Sequence, residues 1–415
     1  MPLNQNFFTN PPTPSSATNK PSTADRFLSI GIVCGILWYL VMCVVHLLSS
    51  RPLWNDESCV FQSVRAFHSA DFFKEPLQAL QVFPRVYLFL IQKFSQPFSF
   101  DLISLRAPSF VCMVLAFCLW LRIASYELKS KLSYLTFVLC WSASVPLIYY
   151  SAELKQYSMD VLSGACFIWF LYNQEYLEKN HRQRYILLLI LLPLFIFFSY
   201  PTYFFVLFPL YHLILACRKD KTKIALIVLY TSVLAIYGIL SYLFDMRLRP
   251  EAILLREWHD YFISFQSVPE FFKTLGEGTL NLFTRWFVER PKVVKKFGLF
   301  FVMLGVLRMF GGFFVHIKKD RFQLKTLHTI PLIIFLELLF MGAVQKYPFT
   351  VPRTSLFFCP LVLFLTIQGI YALKRIHRTL YPIVHAAFLY FLVFVSIGIS
   401  FYVLAKTFGA QTALW

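Results

Sequence analysis

Residues 27–48 read FLSIGIVCGILWYLVMCVVHLL, 22 consecutive positions without an Asp, Glu, Lys or Arg. At about 1.5 Å per residue a helix of that length spans the roughly 30 Å hydrocarbon core of a bilayer. Ile224–Phe244 and Tyr381–Leu404 are equally long and equally free of charge. The rest of the 415 residues agrees with them. The chain is 58% hydrophobic and 19% aromatic, only 14% of it is charged, and its mean hydropathy is +0.61. Soluble domains carry closer to about 25% charged residues. The sequence therefore predicts an all-α polytopic membrane protein with no soluble domain of ordinary size.

Apolar runs lie near 27–49, 102–121, 132–149, 157–174, 185–199, 202–217, 223–244, 297–316, 327–344, 354–373 and 381–405, which predicts a bundle of about eleven transmembrane helices. Every second linker is basic: Lys20 and Arg26; Arg122, Lys129 and Lys131; Lys179, Arg182 and Arg184; Arg218, Lys219, Lys221 and Lys223; Lys318, Lys319, Arg321 and Lys325; Lys374, Arg375 and Arg378. These linkers are expected to face the cytoplasm, with the N-terminus inside. Merging 185–199 with 202–217 across Pro201 would break that alternation. The formal charge of +18 thus follows topology and gives no reason to expect nucleic acid. Residues 1–24, rich in Pro, Ser, Thr and Asn, read as a disordered cytoplasmic tail, and 25–415 as the transmembrane domain. The first apolar run is too long for the core of a signal peptide and reads as a retained helix.

Two long loops, about 50–101 and 245–296, fall on the opposite, external face. Within them 59–68 and 251–265 repeat apolar positions every three or four residues among charges, a pattern that suits helices lying in the membrane interface. Lys and Arg there meet anionic headgroups, which makes membrane lipids a partner. No motif recurs between the two halves, which weakens an inverted-repeat transporter. Eight of the nine cysteines lie in apolar runs and only Cys59 in a loop, without metal-ligand spacing, so helix packing accounts for them.

The acids carry the most information. Asp56 and Glu57 follow the first run directly. Glu153, Lys155, Tyr157 and Asp160 lie in YYSAELKQYSMDVL, at the outer end of the fourth, and Arg353 opens the tenth. Glu153, Tyr157 and Asp160 share a helix face by spacing, and a carboxylate within an apolar run must meet a cavity or a partner. All six charged groups approach one membrane surface. A carboxylate there can accept the proton of an attacking hydroxyl, and Lys and Arg can hold a departing phosphate. Plainer readings stand beside this one. Asp56-Glu57 also suits a solvated helix start, and Glu153 with Lys155 a surface ion pair. Asp160 also suits a hydrogen bond between helices, and Arg353 an interfacial cation.

At these residues the chain resembles the GT-C membrane glycosyltransferases, in the bacterial branch of protein O-mannosyltransferases and lipid A aminoarabinose transferases. The resemblance rests on Asp56-Glu57 in the first external loop, SLRAPSFVCMVLA (104–116), IYYSAELKQYSMDVL (148–162), SYPTYFF (199–205) and YPFTVPRTSLFFCPLVL (347–363), in that order. The family's His-Pro-Pro-like segment departs here: VFPRVY (82–87) keeps one Pro and no His, leaving Arg85 as a substitute basic contact.

The resemblance implies a polyprenyl-phosphate sugar donor, a glycan, lipid or protein acceptor, and a site on the external, periplasmic side of a bacterial inner membrane, an endoplasmic-reticulum membrane being the alternative. It implies Asp56 as general base, with Glu57 assisting it or helping to hold a divalent metal. Glu153 would be a second acid and a further metal ligand, and Lys155 and Arg353 phosphate contacts. Tyr157 and Asp160 would line the same site. Two other classes fit a charged membrane cavity: a lipid-linked sugar flippase, and a non-catalytic assembly subunit.

Overall fold

Backbone groups in hydrocarbon must find partners within the chain, and every regular element among the described residues is a helix. The computed structural model describes residues 22–407 apart from 50, 219, 250–254, 257, 287–295, 297–298, 309, 312–328, 349–350 and 352. Several helices start where the sequence supplies a side-chain cap. Ser22 accepts from the Asp25 amide ahead of α1 (Thr23–Leu48). The short helix α2 (Asn55–Ala66) and α3 (Arg85–Ser95) follow. Asp101 accepts from the Ser104 amide at 2.7 Å ahead of α4 (Leu102–Glu127), and Ser130 from the Ser133 amide ahead of α5 (Lys131–Ser142).

After α6 (Val145–Tyr149) and a turn comes α7 (Tyr157–Asn180), which packs along α4 more extensively than any other described pair. Then follow α8 (Arg182–Leu191), α9 (Thr202–Phe205), α10 (Leu207–Cys217), α11 (Ile224–Phe244) and α12 (Val268–Thr284). The last are α13 (Leu299–Arg308), α14 (Thr329–Ala343), α15 (Cys359–Ile376) and α16 (Leu380–Thr407).

Five helical stretches among the described residues are long and apolar enough to cross a membrane: Thr23–Leu48, Leu102–Glu127, Lys221–Leu248, Leu356–Lys374 and Leu380–Val403. A sixth is counted if α5 and the stretch Val145–Ala152, bent by 64°, form one span. The other expected spans coincide with helices that are shorter or more polar, and 297–298, 309 and 312–316 of the expected span 297–316 lie outside the described residues. The stretch at 185–199 passes from α8 into the tighter 3-10 turn Leu192–Phe197, and that at 202–217 is a shorter apolar helix in which α10 follows α9 directly. α7 is long, but it carries Asp160, Asn173, Gln174, Glu175, Glu178 and Lys179. It can be polar because most of its surface is buried by neighbouring helices. The lipid-compatible faces lie elsewhere, for example Phe27, Ile30, Val33, Leu37 and Val41 along one side of α1. Most of residues 1–24, the linker holding Lys318, Lys319, Arg321 and Lys325, and 251–254 and 257 of the expected loop helix 251–265 lie outside the described residues.

Between helices in lipid, close packing replaces the hydrophobic effect as the adhesive. α13 and α15 illustrate it. A Cβ on Gly369 would stand 2.3 Å from the Leu304 carbonyl carbon, and one on Gly305 2.5 Å from that of Leu365. Only paired glycines allow that backbone approach. The segment between α1 and α4 is held in place by polar bonds. Gln92 of α3 donates to the carbonyl oxygens of Val64 (2.8 Å) and Phe67 (2.6 Å) at the end of α2. The Gln78 amide donates to Ser63 Oγ at 2.9 Å.

Candidate functional site

α2 begins at Asn55, so Asp56 and Glu57 both occupy its first turn, where the helix dipole favours negative charge. Successive residues on a helix point about 100° apart, and the two acids part company accordingly. Glu57 turns inward and is fully buried. Its two oxygens take a bidentate pair from Arg106 of α4, Nε at 3.1 Å and Nη2 at 2.9 Å. Oε1 also accepts from the Leu154 amide at 2.8 Å, and Arg51 lies 3.5 Å from Oε2. Arg106 Nη1 donates in addition to the Arg51 carbonyl at 3.1 Å. One carboxylate thus joins the segment between α1 and α3, α4 and the segment before α7. Such a charge is tolerable in the interior only because it is paired and fully hydrogen-bonded.

Asp56 turns the other way and stays partly accessible, its side chain 22% exposed. Its Oδ2 lies 2.6 Å from Arg353 Nη1 and 3.8 Å from Lys155 Nζ. Residues 56, 155 and 353 come from three distant parts of the chain, and the fold brings them to one point. The Arg353 guanidinium is flanked by two indole rings, with centroids at 5.6 Å (Trp54) and 5.4 Å (Trp258). Cation–π attraction of this kind fixes the plane of the group without consuming its N–H donors. Lys155 is nearly buried and donates to Gln81 Oε1 at 2.8 Å, which ties the loop before α3 to the cluster. Burial lowers the proton affinity of its ammonium group, and Asp56 beside it pulls the other way.

Glu153 departs from the helical-face expectation. α7 starts only at Tyr157, and Glu153 has extended backbone (φ −121°, ψ 147°) after the 3-10 turn Tyr150–Ala152. The backbone breaks here because its groups bond to tertiary partners: the Leu154 amide to Glu57, the Lys155 carbonyl to Ser109 Oγ (2.9 Å) and the Tyr150 carbonyl to Ser158 Oγ (2.7 Å). Glu153 is completely buried, with the Tyr149 side chain as a hydrogen-bonding neighbour. Burial first, and the Glu57 charge after it, push its carboxyl up to about 8, against the pull of Arg51 and Lys155. It is therefore mainly neutral at pH 7. Around Asp56 the two cations Arg353 and Lys155 face a single formal negative charge, so the site favours an anion.

Tyr157 and Asp160 occupy the first turn of α7, both buried. The Tyr157 ring meets Tyr150 edge-on at 5.1 Å, and Asp160 Oδ1 is buried without a hydrogen-bond partner. Arg85 goes elsewhere. Its guanidinium donates to the carbonyl oxygens of Phe72 and Glu75 and lies 3.8 Å from Asp245 at the end of α11. Asp245 also pairs with Arg249 (3.6 Å) and accepts from Tyr200 (3.2 Å). The expected contact of Arg85 with the Asp56 site is replaced by this second cluster.

The expectation that Asp56, Glu57 and Glu153 hold a divalent metal does not fit this geometry. Glu57 is saturated by Arg106 and the Leu154 amide, and Asp56 is paired with two cations. Among the described residues no three His, Cys, Asp or Glu side chains are grouped as a metal site. Arg106, absent from the sequence-based site, proves to be its central support. An arginine among apolar residues at the start of a span was the signal for a buried acidic partner. No protein family, curated protein or solved structure matches this chain.

Proposed function

We propose that this chain is an integral membrane glycosyltransferase that moves a sugar from a polyprenyl-phosphate donor to a glycan, lipid or protein acceptor. The observation that carries the reading is the meeting of Asp56 with Arg353 and Lys155 beside the ends of apolar helices. The acceptor hydroxyl gives its proton to an Asp56 oxygen as its own oxygen attacks the anomeric carbon. The bond from that carbon to the phosphate oxygen breaks, and the phosphate leaves with the electron pair. Arg353 and Lys155 stabilise the charge that develops on it. Configuration at the anomeric carbon inverts in this single displacement. No step requires Glu57, whose role is to set the angle of α2, or a metal.

The finer topology belongs to the same proposal. About eleven spans, with the N-terminus and the basic linkers in the cytoplasm, put the Asp56 cluster and the interfacial loop helices on the external face of a bacterial inner membrane. There the donor's hydrocarbon tail stays in the bilayer while its phosphate reaches the cations. A flippase has one observation in its favour, the acidic Glu337 within the apolar helix α14. The test is transfer of radiolabel from a panel of polyprenyl-phosphate sugars by protein reconstituted in lipid. Label reaching an acceptor supports the transferase. Folded protein that binds the lipid and releases no sugar from any donor overturns it in favour of the flippase.

A further inference from the structure

The Asp56–Arg353 contact poses a difficulty for a site in which both groups must act. A carboxylate oxygen 2.6 Å from a guanidinium has given an acceptor position to that cation, and the cation has given its Nη1 donor to the carboxylate. Each group occupies the other's reactive edge. The surroundings hold the guanidinium rather than the carboxylate. Trp54 and Trp258, from the two external loops, flank Arg353 on its ring-facing sides and leave its N–H edge as the place of exchange. Asp56, by contrast, is partly exposed, and among the described residues its contacts are those of Oδ2 with the two cations.

We propose that the Asp56–Arg353 pair is a latch opened by phosphate. In the free protein Arg353 caps Asp56; the pair opens first, and a phosphate group, the donor's diester or a free monoester, then takes the Arg353 edge and Lys155, leaving Asp56 uncovered. The inference rests on the transferase reading only for the identity of the phosphate, since any phosphate monoester or inorganic phosphate can exchange with a carboxylate on a guanidinium. The latch keeps the base covered until the leaving group is seated, so a sugar donor lacking its phosphate cannot expose it. Lys155, already 3.8 Å from Asp56, is the second contact through which the phosphate competes. No bond to carbon changes in this step; one charge-assisted hydrogen bond replaces another.

The latch makes a kinetic prediction that simple charge repulsion does not. Opening precedes seating, so the observed rate of phosphate binding to the wild type levels off as phosphate rises. Removing the carboxylate removes the gate. The experiment follows tryptophan emission in a stopped-flow instrument, with the full chain in lipid nanodiscs and two probes, inorganic phosphate and a polyprenyl phosphate. Trp258→Phe identifies the signal that arises at Arg353. Asp56→Asn and Asp56→Ser, two independent removals of the carboxylate, are expected to bind either probe about 10-fold or more tightly than the wild type, the strength of a lost charge-assisted competitor. Both variants should show rates linear in phosphate where the wild type saturates. Arg353→Gln should lose affinity by a similar factor. Tighter binding with rates linear in both wild type and variants means repulsion alone and overturns the latch. Equal affinity in wild type and both Asp56 variants overturns it as well. These outcomes are independent of sugar transfer. A saturating wild type with no transfer from any donor leaves the latch and sinks the transferase; active transfer with linear binding does the reverse.

Discussion

Glu153→Gln is the substitution whose effect follows most directly from the geometry. The wild-type carboxyl is fully buried and lies beside the Glu57 charge. Its proton affinity rises from an ordinary 4.5 to about 8. A group that holds its proton more tightly in the folded than in the unfolded chain stabilises the fold below its unfolded value and loses that contribution as pH rises through the folded one. The contribution is thus complete below about pH 4.5 and gone above about pH 8. Each factor of ten in proton affinity is worth about 1.36 kcal/mol, so the whole interval amounts to about 5 kcal/mol. Glutamine keeps the shape and removes the titration. Thermal midpoints of wild type and Glu153→Gln, measured in one detergent from pH 5 to pH 9, should nearly coincide at pH 5 and separate progressively, the variant being the more stable at pH 8. Parallel pH profiles for the two proteins would show that Glu153 stays ionised in the fold, and would refute the reasoning about its neutral state.

Three further outcomes follow from the packing. Glu57→Gln leaves Arg106 and Arg51 without their shared charge, and a broken buried pair costs about 3–5 kcal/mol. A chaotrope series monitored by tryptophan emission should show it, together with a lower yield of folded protein. Gly369→Ala puts a methyl group 2.3 Å from the Leu304 backbone, so α13 and α15 must separate, with an overpacking loss of about 1–3 kcal/mol in thermal stability. Arg85→Met should lower stability, because Asp245 loses one of its two cations, while leaving phosphate affinity within about twofold of the wild type, the residue lying in the Asp245 cluster. A tenfold loss of phosphate affinity in a well-folded Arg85→Met would return Arg85 to the phosphate site.

What was legible in the sequence is what depends on composition over many residues. Uncharged runs of about 20 residues had to be helices, and those within Thr23–Leu48, Lys221–Leu248 and Leu380–Val403 are. The meeting of Asp56, Lys155 and Arg353 was legible too, because linker charge and span order assign all three to one membrane surface. The division of labour between Asp56 and Glu57 was not. Both occupy one helix turn, and which of them faces the interior depends on how α2 is rotated against Arg106, a tertiary fact. The extended backbone at Glu153 was hidden for a related reason. YSAELKQYSMD has ordinary helical spacing, and what breaks it is a set of bonds from Glu57, Ser109 and Ser158 to groups a helix would otherwise use. Among the described residues five or six of the expected spans are long and apolar enough to cross a membrane; around Pro193 and Pro201 composition alone did not separate a span from a short apolar helix packed inside the bundle.

The most direct test of the proposed chemistry is single-turnover sugar transfer by wild type and Asp56→Asn, each loaded with the same polyprenyl-phosphate sugar in nanodiscs. Asp56 is partly exposed at the edge of the cluster, so the variant keeps the Glu57–Arg106 support and its fold. Donor binding should persist while the transfer rate falls by about 10²–10⁴, the usual contribution of a positioned general base. Undiminished transfer by a folded, donor-loaded Asp56→Asn would contradict the assignment of Asp56 as the group that takes the acceptor's proton.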